Sequence, residues 1–311
     1  MVNHRRHLIA DMTISTLCYT GIDTELLFTH NQPLPGYASY PLLAKSSTRA
    51  IIEKMYMDLI ALAKRYQTAV ILDAVTWIAS SQRGAMIGLN EHQLRDFNLD
   101  AIDLMAQVRN KYGDLPTLLS AQIGPREDGY QANNQMSANE SLGYHSAQID
   151  TYKLTKADFI TASTLSYPEE AAGIVLAAKS ANIPVVVSFT VELDGNLPNG
   201  QSLEDAIAKV DGLTKRYASY FMINCAHPSH FSHSFTQQPW EQRIKGIVVN
   251  ASKCSHAELD RCETLDSGDP FSLGKEVAKI CRQNTQISVV GGCCGTNLDH
   301  LEQIMKNLRE S

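Results

Sequence analysis

The chain is expected to fold as an α/β protein, a single (β/α)8 TIM barrel, and three observations predict it. Short apolar runs alternate along its 311 residues with stretches whose apolar positions recur at helical spacing, a pattern that gives a parallel sheet with helices packed on it. Eight such runs can be placed, the number that closes this kind of barrel. Several runs end in cysteine, asparagine or aspartate, as the C-terminal strand ends of a parallel barrel do where they carry a site. No repeat, low-complexity tract or linker divides the sequence, so one barrel domain over residues 1–311 is expected.

Leu8–Asp11 is the first apolar run, ends in a carboxylate and is read as strand one. Apolar residues at Ile51, Ile52, Met55, Leu59, Leu62 and Ala63 give a helix over Thr48–Arg65. Ala69–Leu72 follows as strand two, with Asp73 at its end. Leu94–Val108 is the next helix and Pro116–Ile123 is strand three. After Gly124-Pro125 comes a long polar loop from Arg126 to Gly143, of a kind that often covers a pocket. Strand four is Phe159–Ala162, running into Ser163-Thr164, and Pro168-Glu169-Glu170 opens a helix. Proline suits a first helical turn, and acids there meet the positive end of the helix dipole. Strand five is Val185–Phe189, and after the turn at Asp194-Gly195-Asn196 a helix covers Leu203–Val210. The sixth run, Tyr220–Asn224, ends at Cys225, and the seventh, Gly246–Val249, ends at Asn250. Glu276–Arg282 is helical, Ile287–Val290 is strand eight leading into Gly291, and Leu298–Leu308 closes the chain.

Composition narrows the function classes. The formal charge is −6, and no block of lysine and arginine interleaves with aromatics, so a nucleic-acid surface is not expected. No run approaches the roughly 20 apolar residues of a membrane span. Asp11, Thr13, Ser15 and Thr16 interrupt the apolar stretch that an export signal after Arg5-Arg6 requires. Seven cysteines with no extracellular framework spacing fit a reducing cytoplasm. A small-molecule partner is the expectation.

The densest chemistry is Gly291-Gly292-Cys293-Cys294-Gly295-Thr296. Small residues let the backbone turn tightly and bring two thiols toward one point, and adjacent cysteines strongly disfavour a disulfide to each other. A soft metal is the natural partner. Cys225 ends a run of the same form, and three thiolates at two strand ends leave tetrahedral zinc one open position. Cys225, Cys293 and Cys294 are therefore the candidate metal ligands, with Zn2+ as cofactor. His227, His230 and His233 form a competing His-x-x-His-x-x-His cluster that could replace one cysteine or make a separate site. Cys18, Cys254, Cys262 and Cys281 have no partner of similar placement.

With Asn224-Cys225 and Gly291-Gly292-Cys293-Cys294 in place, the chain resembles the homocysteine S-methyltransferase family, whose barrels carry an Asn-Cys and, later, a Gly-Gly-Cys-Cys segment. The likeness runs over nearly the whole chain. It implies zinc on the three cysteines and places Asn224 and Asn250 beside substrate, Asn250 answering the Asn of the family's Tyr-Pro-Asn-Ser-Gly. The stretch Asp73–Ser80 is similar to the family's Thr-Thr-Asn-Thr-Tyr-Gln-Ala-Ser, with Thr76, Trp77, Ala79 and Ser80 fitting and Val75 replacing the Asn that helps shape the pocket. The family's Asp-Gly-Gly-Met-Gly-Thr-Glu-Leu, aligned on Asp11, Thr16 and Gly21, puts Met12, Thr13 and Ser15 at its glycines and Leu17 at its Glu. Its strand-four Glu-Thr pair, which holds the substrate ammonium, aligns with Ser163-Thr164. A serine carries no charge. Asp73, at a strand end, is the first compensating carboxylate and Asp11 the second.

Two functional readings follow. In the first, the protein is a zinc-dependent methyltransferase that moves a methyl group from a sulfonium-type donor to a small-molecule thiol acceptor, homocysteine or a relative. In the second, it is a zinc-binding barrel of the same descent with another ligand or no transfer activity. The departures at Met12, Thr13, Leu17, Val75 and Ser163 motivate the second.

Overall fold

The structure, a computed structural model, describes residues 16–112 and 114–310. Strands β1 (Thr16–Tyr19), β2 (Ala69–Asp73), β3 (Thr117–Ile123), β4 (Phe159–Leu165), β5 (Val185–Phe189), β6 (Phe221–Asn224), β7 (Ile244–Val249) and β8 (Val289–Gly292) pair in sequence order. Every pairing is parallel, and β8 returns to β1, closing the barrel. Helices Ser46–Arg65, Glu91–Tyr112, Ala138–Tyr152, Pro168–Ala181, Leu203–Thr214, Pro270–Gln283 and Leu298–Arg309 lie between or after the strands. No helix among the described residues is long and apolar enough to cross a membrane.

One strand differs from expectation. Leu8–Asp11, and with it the candidate Asp11, lies outside the described residues. The place between β2 and β8 belongs to Thr16–Tyr19, which hydrogen-bonds to both. The reason is periodicity: in Thr16-Leu17-Cys18-Tyr19 alternate side chains face opposite ways, so Leu17 and Tyr19 serve one face of the sheet and Cys18 the other.

That alternation builds two separate cores. Leu17, Val70, Leu72, Val185, Val187, Phe221, Ile223, Ile247 and Val249 pack outward in one cluster with the helices. Their strand neighbours Cys18, Ile71, Val186, Met222, Val248 and Val289 pack inward, in a second cluster that continues up to Cys225 and Cys293. The helix after β4 shows how tightly the outer layer fits: a Cβ on Gly173 would come within 2.3 Å of the Ser141 side chain on the preceding helix.

The β4–β5 register shifts between Ala162 and Leu165, and Thr164 in that bulge has φ of 60°. Bulges of this kind re-aim a side chain next to a site. Cys225, just past β6, is also left-handed, with φ of 55°. Both residues stand at the C-terminal ends of their strands.

Candidate active site and metal centre

The turns that follow β6 and β8 place three cysteine sulfurs together. The Cys225 amide donates to Val248 O at 2.9 Å and the Cys293 amide to Val249 O at 2.8 Å, so both turns are fixed to β7. Glycine is required beside them. A Cβ on Gly291 would stand 2.4 Å from Cys18 O, and one on Gly292 would stand 2.2 Å from Thr296 Oγ1. The Cys225, Cys293 and Cys294 sulfurs lie within 4.8 Å of one another, with 4.0 Å between Cys293 Sγ and Cys294 Sγ. Metal–sulfur bonds of about 2.3 Å in a tetrahedral site require sulfurs about 3.8 Å apart, so this donor set fits a soft divalent ion.

Electrostatics in the cluster are uneven. Hydrogen bonds from the Cys293 and Cys294 thiols, with help from Tyr130, hold the Cys225 thiol well below its ordinary range against burial. The bond to Cys225, together with burial, pushes the other two thiols up. A metal dication adds the positive charge that three neighbouring thiolates need.

Tyr130 and His256 complete the surroundings of Cys225. The Tyr130 hydroxyl lies 3.0 Å from Cys225 Sγ, and its ring packs on the His256 ring with centroids 4.2 Å apart. His256 Nε2 donates to Cys225 O at 2.8 Å, which leaves Nδ1 facing Glu192 Oε1 at 3.4 Å. Tyr130 comes from the polar loop after β3, which folds over the site and then enters a helix at Ala138 through a Ser137–Glu140 capping box.

Above the sulfurs opens a cavity of about 670 Å3, walled in part by Thr20, Asp23, Trp77, Gln122, Tyr130, Thr164, Asn224, Asn250, His256, Cys293 and Cys294. Asn250 is in the wall, its Nδ2 3.8 Å from Cys225 Sγ. Asn224 is there too, held by Thr164: the Thr164 amide donates to Asn224 Oδ1 at 2.9 Å, and Asn224 Nδ2 donates to Thr164 Oγ1 at 2.7 Å.

Three other expected site residues sit elsewhere. Thr76 is buried behind the wall, donating to Gln122 O at 2.9 Å and accepting from the Tyr152 hydroxyl at 3.0 Å. Ser163 lies beneath the wall, its Oγ 3.4 Å from Gln122 Nε2, while its carbonyl accepts from Trp77 Nε1 at 3.1 Å. Asp73 does not face the cavity. It points into the barrel on the same face as Ile71 and bonds Ser120, whose hydroxyl lies 2.7 Å from that of Thr161. Burial pushes its carboxyl up to about 7, with the Ser120 bond opposing. Strand parity correctly turns Asp73 inward, but a register position one layer too deep removes it from the pocket.

The histidines do not converge. His227 Nδ1 accepts from the Ser229 amide, His230 Nε2 donates to Lys253 O, and His233 Nε2 donates to Asp194 O. Among the described residues, the three cysteines are the group close enough to hold a metal.

Comparison with known proteins agrees with this geometry. A sequence profile of the family described as homocysteine S-methyltransferase matches residues 20–308. The chain belongs to the homocysteine S-methyltransferase family. Betaine–homocysteine S-methyltransferase 1 of Mus musculus is 26% identical over 179 residues, which is 52% of this chain and 42% of that protein. The Rattus norvegicus protein of that name is 26% identical over 181 residues, with the same shares. The match thus spans less than half the length of these relatives. The homocysteine methyltransferase MmuM from Escherichia coli has the same fold: its oxidised form superposes with a TM-score of 0.73 at 17% identity, covering 94% of this chain and 96% of that one. Its metallated form gives 0.69 at 16% identity over the same shares.

The family's Asp-Gly-Gly-Met-Gly-Thr-Glu-Leu now finds its place. With β1 at Thr16–Tyr19, the motif falls on Tyr19–Leu26, and Gly21, Thr24, Glu25 and Leu26 match. Leu17 is a strand residue and does not stand for the Glu. A Cβ on Gly21 would come 2.5 Å from Cys293 O, so this glycine lets the turn lie directly on the cysteine loop. Asp23 stands at the motif's third glycine and lines the cavity, and the retained Thr24-Glu25-Leu26 is the sequence signal that points to it.

Proposed function

We propose that this chain is a zinc-dependent S-methyltransferase that moves a methyl group from a sulfonium-type donor to the thiol of homocysteine or a related thiol, on one barrel domain. The observation that carries this reading is the convergence of Cys225, Cys293 and Cys294, the last two lining a cavity on the C-terminal rim and the first buried beside them. Zinc held by these residues would lower the pKa of an incoming thiol and so supply a nucleophile at neutral pH.

The chain's own residues do the rest. Trp77 and Tyr130 in the wall offer aromatic faces to a cationic donor and keep water from it. Asn250 and Asn224 present amide groups to the substrates, and Thr164 holds the Asn224 carboxamide in one orientation. In the transfer, the acceptor sulfur bonds to the methyl carbon as the carbon–sulfur bond of the donor breaks. The donor leaves as a neutral thioether. Positioning of the two sulfurs on a line through the methyl carbon is the main demand on the protein. The seven free cysteines fit a cytoplasmic enzyme.

The test is methionine formation by zinc-loaded protein with homocysteine and a panel of sulfonium and betaine donors. Transfer that disappears on changing Cys293 and Cys294 to Ser is the expected result. Ser163, where the family carries an acid, favours a second reading, a barrel that binds a ligand without methyl transfer. Zinc-loaded protein that methylates no thiol with any donor would establish it.

A further inference from the structure

The site has lost acids that its family motifs carry and gained one that they lack. Tyr19 stands at the motif's Asp and Ser163 at the strand-four Glu, while Asp23 stands at a motif glycine. Tyr19 has another use: its hydroxyl lies 2.7 Å from Glu25 Oε2 and 2.9 Å from Thr296 O, tying the turn after β1 to the cysteine loop. With Gly21 seated against Cys293 O, the turn that bears Asp23 is fixed to the floor of the site.

Asp23 is also the cavity carboxylate without another task. Five carboxylates line the cavity. Asp128 accepts from the Tyr130 amide, Asp266 from Ser252 and Gly268, and Glu127 lies 3.4 Å from Arg126 Nε. Asp260 is exposed. Asp23 is half-buried, is held by the Ser39 hydroxyl, and has no cation near it among the described residues. A carboxylate partly withdrawn from water and unpaired has strong affinity for a cation that fits beside it.

We infer that Asp23 holds the ammonium of the amino-acid thiol, replacing the strand-four acid that this chain lacks. The inference rests on the thiol-methylation reading for the identity of its ligand. A charged hydrogen bond in such a site corresponds to about tenfold to a hundredfold in affinity.

The experiment is calorimetric binding of homocysteine and of its des-amino analogue to zinc-loaded wild type and Asp23→Asn. Wild type is expected to prefer homocysteine by about tenfold or more, and Asp23→Asn to lose that preference while binding the analogue within about twofold of wild type. Asp23→Gly, which restores the motif residue, gives the same outcome should the first variant fold poorly. A preference that survives both substitutions overturns the inference, as does a wild type with no preference. So does a variant that loses affinity for S-methylmethionine or betaine but not for homocysteine. Methyl transfer is assayed separately, so a protein that shows the preference but transfers to no thiol refutes the methylation reading and leaves the clamp standing.

Discussion

The Tyr130 hydroxyl lies 3.0 Å from Cys225 Sγ, a contact between the loop after β3 and the turn after β6, 95 residues later. A donor bonded to a candidate metal ligand tunes that ligand's charge and orientation, and losing such an outer contact weakens metal binding about 10- to 100-fold. Tyr130→Phe keeps the ring on His256 and removes only the hydroxyl. Zinc affinity measured by chelator competition is expected to fall by about tenfold, with the melting temperature nearly unchanged.

Zinc stoichiometry should depend on the cysteines alone. Changing Cys293 and Cys294 together to Ser removes two of three donors, and elemental analysis is expected to find almost no zinc. His233→Ala, which removes an exposed side chain bonded to Asp194 O, should retain one zinc per chain. Full zinc in the double cysteine variant would move the metal to the histidines.

Asp73 should report on stability rather than on substrate. Its folded-state pKa of about 7 lies above the unfolded value, so the folded protein binds the proton more tightly. That stabilisation is complete below the unfolded pKa, near 4, and is lost as pH rises through about 7, at roughly 1.4 kcal/mol per pH unit. Asp73→Asn removes the titration. Denaturant melts from pH 4 to 8 should show the variant gaining on wild type up to about pH 7 and levelling above it. Unchanged homocysteine binding in the same variant separates Asp73 from Asp23.

Gly21→Ala tests the seat of the cysteine loop. The new Cβ would meet Cys293 O at 2.5 Å and the Tyr19 ring at 2.7 Å, contacts that backbone and a buried ring cannot relieve cheaply. A loss of about 1–3 kcal/mol in unfolding free energy is expected, with a lowered zinc content. A variant as stable and as zinc-loaded as wild type would show that the turn does not press on the site.

The barrel and the three clustered cysteines were legible in the sequence because both are written in local patterns. Apolar runs of strand length separated by helical periodicity survive any tertiary context, and so does a Gly-Gly-Cys-Cys segment at the end of such a run. Strands β2 to β8 lie where those runs lie, give or take a few end residues. The first strand was misplaced because Leu8-Ile9-Ala10 is more apolar than Thr16-Leu17-Cys18-Tyr19, whereas a strand that sends Leu17 and Tyr19 into one core and Cys18 into the other needs alternation more than hydrophobicity.

Depth within the barrel was decided only by the tertiary structure. Sequence parity turns Asp73, Gln122 and Ser163 inward, but barrel closure and strand stagger set which inward residue reaches the cavity. Gln122 does and Asp73 does not. A polar loop and a single helical turn carry too little periodicity to place, so Tyr130 and His256 come beside Cys225 only when folding brings their segments there. The sequence by itself determined the scaffold and the three thiols, but only Cys293 and Cys294 are neighbours in the chain, and Cys225 reaches them through the pairing of β6, β7 and β8. The charge and polarity around those thiols come from residues distant in the chain, placed by strand register and loop packing that no local pattern encodes.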